Sequence, residues 1–259
     1  MLRRQRRSTS RSEIEAIVAA QVAWWPLLDE AEQQRLLDLS ADMVARVRWE
    51  AANGFTMSDE IPVLIAVQAS LLLLGLDDDR ALDNVGTVIV HRSTVTQRGE
   101  RSVGGGVLTR DPMALSGQAH HRGPVLISWN AARRSLRRPG LGENVVLHEF
   151  AHKLDMLDDF LDGTPPLPDD GARTKWVEVC EMELSRLRRG EPGPLRPYAG
   201  TNPAEFFAVA TEVFFDRPLA LHDDRPELYR VLSEFYGQDP AGRWRSWSVS
   251  TTTPSATGR

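Results

Sequence analysis

Apolar residues recur at helical spacing from about residue 12 to 24, 30 to 52 and 59 to 76, and Asn53-Gly54 marks a turn between the second and third stretches. The third stretch is apolar on nearly every side from 63 to 76, broken only by Gln68 and Ser70. It is too short to cross a bilayer and reads as a buried helix. The pattern then changes period. Thr87-Val88-Ile89-Val90-His91 and Val125-Leu126-Ile127-Ser128-Trp129 have the β-branched content of strands, and Gly104-Gly105-Gly106 between them reads as a turn or mobile loop. Helical spacing returns at 144 to 158, about 174 to 189, 203 to 215 and 226 to 236. The stretches 163 to 168 and 190 to 197 are loops too brief to link domains, and no internal repeat is visible. The expectation is an α+β fold, mainly helical, with one domain over 13–240 whose first part, 13–80, is helical. A basic tail at 1–12 and a Ser/Thr-rich tail at 241–259 are expected to be disordered.

Composition narrows the class. With 41% hydrophobic and 26% charged residues over 259 positions, the chain can bury one sizeable core or two small ones. A net charge of −5 gives no reason to expect a nucleic-acid partner. Cys180 is the single cysteine, which excludes an intramolecular disulfide and a cysteine-based zinc cluster. The basic residues at 3 to 11 have no apolar stretch behind them, which argues against a secretory signal. A cytoplasmic protein with no membrane partner is expected.

The chemistry is concentrated in His148-Glu149-Phe150-Ala151-His152, set inside the apolar run that starts at Asn144. Two histidines four apart share one face of a helix and can grip one ion, and Glu149 beside the first can reach a water on that ion. At this histidine and acid content the motif is expected roughly 0.02 times by chance, so two histidines packed for no catalytic reason is the weaker reading. Glu143 or Asn144 can cap the helix start, and neither Gly nor Pro interrupts 144 to 162.

Catalytic zinc requires three protein ligands and an open position, so a third ligand must lie elsewhere. The metzincin pattern would use the sixth residue after the second histidine, Asp158, but it needs a turn-forming glycine where Asp155 stands. The alternative is a Glu from a downstream helix. Asn202 and Pro203 start such a helix well, and Glu205 and Glu212 lie two turns apart on one face of an apolar stretch, where carboxylates are costly unless paired or bound to metal. Glu205 is equally well placed to close a capping box on Asn202.

His148 to Asp155 (HEFAHKLD), Tyr198 seven residues before Glu205, and PAEFFAVATEVFF at 203–215 resemble the Mlc titration factor A family of bacterial zinc peptidases, itself similar to the peptidase domain of the lethal-factor toxins. The likeness extends to 56–76, 122–129 and 232–240, and covers roughly residues 15 to 240. It implies a zincin-like fold with a small sheet at the cleft rim. It implies one zinc ion per chain held by His148, His152 and Glu205, with Glu149 as catalytic base and Tyr198 as an active-site hydroxyl. Glu212 and Asp155 become candidates for orienting the imidazoles. The implied activity is peptide hydrolysis of gluzincin type, with aminopeptidase action favoured. The rival implied by the same resemblance is a binding protein that sequesters a sugar-responsive transcriptional repressor, with zinc mainly holding the fold.

Three other features carry less chemistry. Adjacent His120-His121 cannot face one ion on a regular element. Trp24-Trp25 and Trp244-Arg245-Ser246-Trp247 read as packing, and Arg133-Arg134 with Arg137-Arg138 reads as a solvated face.

Overall fold

A computed structural model describes residues 9–93 and 123–252 of the chain. Helices dominate, with a small parallel sheet among them, so the architecture is the mainly helical α+β class expected. The glycines at 104–106 and the His120-His121 pair lie outside the described residues.

Helix α1 (Arg11–Gln21) starts at a capping box: the Ser10 side chain accepts from Glu13 N–H and the Glu13 carboxylate accepts from Ser10 N–H. The expected basic tail therefore ends earlier than residue 12, and Arg11 is already tied to Asp38 at 2.7 Å. Helix α2 (Glu30–Arg46) has the same kind of box, built from Asp29 and Glu32. It does not run on to residue 52. Val47 turns extended and Arg48–Ala51 forms strand β1, paired in parallel with β2 (Thr87–His91) through Arg48↔Thr87 to Ala51↔Val90. A distant strand supplies those hydrogen bonds, and it outweighs the local helical preference.

Helix α3 (Glu60–Leu71) is buried at every position from Ile61 to Leu71. β2 pairs in parallel with β3 (Val125–Ser128), which gives the order β1-β2-β3. β3 passes directly into α4 (Trp129–Arg137), and α5 (Val145–Asp155) follows and packs on β3, α3 and α7. Helices α6 (Asp170–Arg188), α7 (Pro203–Asp216), α8 (Pro218–Asp224) and α9 (Pro226–Tyr236) complete the back of the molecule.

The chain then continues as α10 (Pro240–Thr252) where a disordered tail from 241 was expected. Asp239 accepts from Gly242 N–H at 2.9 Å, Ala241 is fully buried, and Arg243 donates to Glu32 at 2.9 Å. Ala241 N–H donates to Tyr229 on α9 and the partner of Arg243 lies on α2, so the polar composition of the segment alone hides these contacts. Two clusters of buried side chains, one under α1 to α3 and one around the sheet, α5 and α7, meet at Val44, Trp129 and Phe215.

Candidate metal centre

Helix α5 is fixed at its start before any metal is considered. Asn144 is its cap: Oδ1 accepts from Val146 N–H at 3.0 Å and from Leu147 N–H at 3.2 Å. The Asn144 amide Nδ2 donates to Gln68 Oε1 at 3.1 Å, and Gln68 is itself fully buried on α3. The first turn of α5 is thereby locked in place, and one turn further on it presents His148 and then His152.

Helix α7 supplies the opposing face. Asn202 accepts from Glu205 N–H at 2.9 Å, but the Glu205 carboxylate does not return to the cap. It lies across the gap, with Oε2 3.1 Å from His148 Nε2 and 3.7 Å from His152 Nε2. One ligand atom from each of His148, His152 and Glu205 falls within 4.8 Å of the others, and among the described residues this is the group of three that can hold a metal ion. Four ligands 2.0–2.1 Å from a tetrahedral ion sit about 3.3 Å apart, close to the two distances to Glu205. His148 Nε2 and Glu205 Oε2 are both fully buried and face each other at 3.1 Å without the alignment of a hydrogen bond, which leaves a lone pair on each that a shared ion would take up.

The electrostatics ask for a cation. Burial opposes charge on His148, but Glu205 and Glu212 on its two nitrogens prevail and push its pKa up to about 10. Burial likewise tends to raise Glu205, but the two imidazoles hold it well below the usual carboxylate range. Without a metal, His148 has to carry the positive charge itself. Two imidazole nitrogens and one carboxylate oxygen are the donor set of a catalytic zinc site, so the residues present fit that ion.

Glu212, one face with Glu205 on α7, holds His148 from behind. Its Oε1 accepts from His148 Nδ1 at 2.7 Å, and its Oε2 accepts from Asn144 N–H at 2.6 Å. That contact fixes Nδ1 as the protonated nitrogen and leaves Nε2 its lone pair. Asp155 Oδ2 accepts from Gly163 N–H at 3.0 Å and braces the loop after α5. Burial pushes the Asp155 carboxyl up to about 7. Asp158 lies in a short 3-10 turn, Met156–Asp158, and accepts from Phe160 N–H, outside the group of three.

Glu149 is partly exposed, and burial pushes its carboxyl up from the usual range, opposed by His148 and His152. A carboxyl raised in this way holds a proton more readily than a free glutamate does. Tyr198 sits in the 3-10 turn Pro197–Gly200, with its ring centroid 6.2 Å from that of His148. Two residues that sequence reasoning did not single out join them. Gln68 anchors the α5 cap, and Arg196 donates to Glu212 at 2.6 Å. For Arg196 a signal existed: a buried Glu212 needs a cation, and an arginine stands two residues before Tyr198.

A sequence model of the family described as glucose-regulated metallo-peptidase M90 matches residues 1–237. The chain belongs to that family. Mlc titration factor A of Serratia proteamaculans (strain 568) is 31% identical over 225 residues, which cover 83% of this chain and 84% of that protein. Mlc titration factor A of Pectobacterium atrosepticum is 32% identical over 229 residues, 86% of this chain and 84% of the other. The uncharacterized protein slr2042 of a Synechocystis strain is 30% identical over 231 residues, 87% of this chain and 84% of the other. Membership of the M90 family makes a metal-dependent peptidase the frame for the geometry above. Among the described residues, no helix is long and apolar enough to cross a membrane.

Proposed function

We propose that the chain is a zinc-dependent peptidase of gluzincin type, acting in the cytoplasm as an aminopeptidase, with His148, His152 and Glu205 as ligands of one zinc ion. The observation that carries this reading is the convergence of those three side chains beside Glu149, with His152 and Glu149 partly exposed on the accessible side. Zinc bound there supplies a Lewis acid that acidifies a bound water and polarises a peptide carbonyl. Glu149 takes the proton of the attacking water and returns it to the leaving amine. Tyr198 donates its hydroxyl to the oxygen on which charge develops. Glu212 keeps His148 in the ligating tautomer. Strand β3, an outer strand among the described residues, offers main-chain groups for an extended peptide, and Leu126 on it is 41% exposed. Action at the amino terminus of peptides is supported by the resemblance to the Mlc titration factor A family, and the substrate is a peptide or protein.

The second reading takes its support from the name of those relatives, which describes titration of Mlc. In that reading the chain captures a transcriptional repressor through a surface, and zinc holds the fold. Glu149→Gln separates the two, because it preserves size and leaves all three ligands in place. The peptidase reading expects one zinc per chain and hydrolysis of aminoacyl and internally quenched peptides reduced by about 10²–10⁴-fold, with a chelator abolishing turnover of the parent. Equal turnover in parent and variant would favour the binding protein.

A further inference from the structure

Arg196 belongs to no motif, yet it touches both halves of the centre. Its Nη2 donates to Glu212 Oε1 at 2.6 Å, and that same oxygen accepts from His148 Nδ1 at 2.7 Å. Its Nη1 donates to Gly142 O at 3.2 Å, two residues before the α5 cap. On its other side the guanidinium carbon lies 5.8 Å from the centroid of the Tyr198 ring. The side chain is 17% exposed and that of Glu212 is 2% exposed, so the pair is largely out of water.

We propose that Arg196 is a positioning residue that couples the two sides of the reaction centre, fixing the Glu212 carboxylate that orients His148 and seating the Tyr198 ring beside the metal site. The Tyr198 half rests on the peptidase reading, whereas the Glu212 half rests only on the metal site. A buried carboxylate without a counter-cation is costly and free to turn toward any donor. The planar fork of Arg196 removes that freedom, because its two ends are committed to Glu212 and to the Gly142 carbonyl at once. A lysine has the charge without the fork, and its single nitrogen does not span the Glu212 carboxylate and the Gly142 carbonyl in the fixed plane that two Nη atoms give. The Tyr198 ring lies within cation–π distance of the same guanidinium. A swing of the Tyr198 side chain about its Cα–Cβ bond would displace the hydroxyl from the place where charge develops, and displacements of that kind have large kinetic effects.

Were Arg196 only a neutralising charge for Glu212, its loss would lower stability and leave zinc affinity and the contribution of Tyr198 untouched. The experiment therefore compares Arg196→Met, Arg196→Lys, Tyr198→Phe and the Arg196→Met/Tyr198→Phe double variant with the parent. Zinc affinity is read by competition with a chromophoric chelator, and kcat and KM on one small peptide. Arg196→Met is expected to weaken zinc binding by about 10–100-fold, with Arg196→Lys recovering part of it. The kcat of Arg196→Met falls while KM stays similar, and the same substitution costs much less in the Tyr198→Phe background than in the parent. Zinc affinity within about twofold of the parent in Arg196→Met overturns the Glu212 half, on the scale of outer-ligand effects. Independent, multiplying losses of kcat overturn the Tyr198 half. If no peptide is turned over by the parent, the peptidase reading fails and zinc competition still decides the Glu212 half. If Arg196→Met does not fold, the same readings on Arg196→Lys apply, and parent-like values there overturn the proposal.

Discussion

A glutamate at the third position of a helix can close a capping box or leave it, and Glu205 leaves it, lending only its backbone N–H to Asn202. The side chain is then free to lie between two imidazoles, and a carboxylate there is stabilised by whatever cation the site holds. Removing it should have a different signature from removing a cap. Glu205→Ala is expected to lose the metal and loosen the fold around 148 to 152, whereas Asp158→Ala retains one zinc per chain; metal analysis after dialysis checks both. A cap alone would cost about 1 kcal/mol with zinc still bound. Tyr198→Phe removes one hydroxyl and little else. If that hydroxyl meets charge that appears only in the transition state, kcat falls by roughly 10²–10³ with KM similar. A kcat within about twofold of the parent, small against a typical donor loss, removes Tyr198 from the mechanism.

Between residues and fold stand the elements, and here the sequence is uneven as a guide. Strands β2 and β3 are visible because short β-branched runs are flanked by polar and glycine positions. β1 is not, because four residues with both ends exposed follow a strong helix and take their hydrogen bonds from a strand nearly forty positions away. The loop joining α5 to the later helices hides a more consequential feature. Gly163 has φ +78°, donates its N–H to Asp155 and accepts from Trp176 Nε1 at 2.9 Å, and a Cβ there would collide with the carbonyl of Pro203, the first residue of α7. One glycine thus sets how closely the end of the histidine helix approaches the start of the helix that carries Glu205. Gly190 offers a control, because it has φ +72° with nothing within 4 Å of its missing Cβ. Gly190→Ala should cost about 1 kcal/mol from the backbone alone. Gly163→Ala should cost clearly more, over about 2 kcal/mol, and should weaken zinc binding as α7 is pushed away. Equal losses in urea unfolding, with zinc affinity unchanged in both, would remove Gly163 from the support of the site.

At the scale of the whole molecule, what could be read from the chain was whatever is local. Histidines four apart and a glutamate beside one of them are neighbours in sequence, so that half of the candidate centre was legible, whereas spacing left Glu205 open between a ligand and a capping residue until the resemblance chose. Arg196 and Gln68 act across 16 and 76 positions, and only folding brings them to Glu212 and Asn144. The C-terminal segment is the clearest case of the same limit. Its serines, threonines and arginines look solvated, yet α10 binds the front of the molecule to the back: Ala241 N–H donates to Tyr229 on α9, Arg243 reaches Glu32 on α2, and Trp244 closes a cavity against Trp24, Leu28, Leu71 and Phe215. That cavity also touches Asn144 and Leu147 at the start of α5. Ending the chain after Asp239 therefore exposes apolar wall and frees a charged pair without removing any residue of the metal group. A loss of roughly 2 kcal/mol, lowering Tm by about 4–8 °C in a chain of this size, is expected, with zinc still bound at one per chain. A truly disordered tail would leave Tm unmoved, and zinc loss on truncation would show that α10 supports the α5 cap as well as the fold. Calorimetry and metal analysis on the same preparation distinguish the three outcomes, and retention of zinc with a lowered Tm is the one the contacts of α10 require.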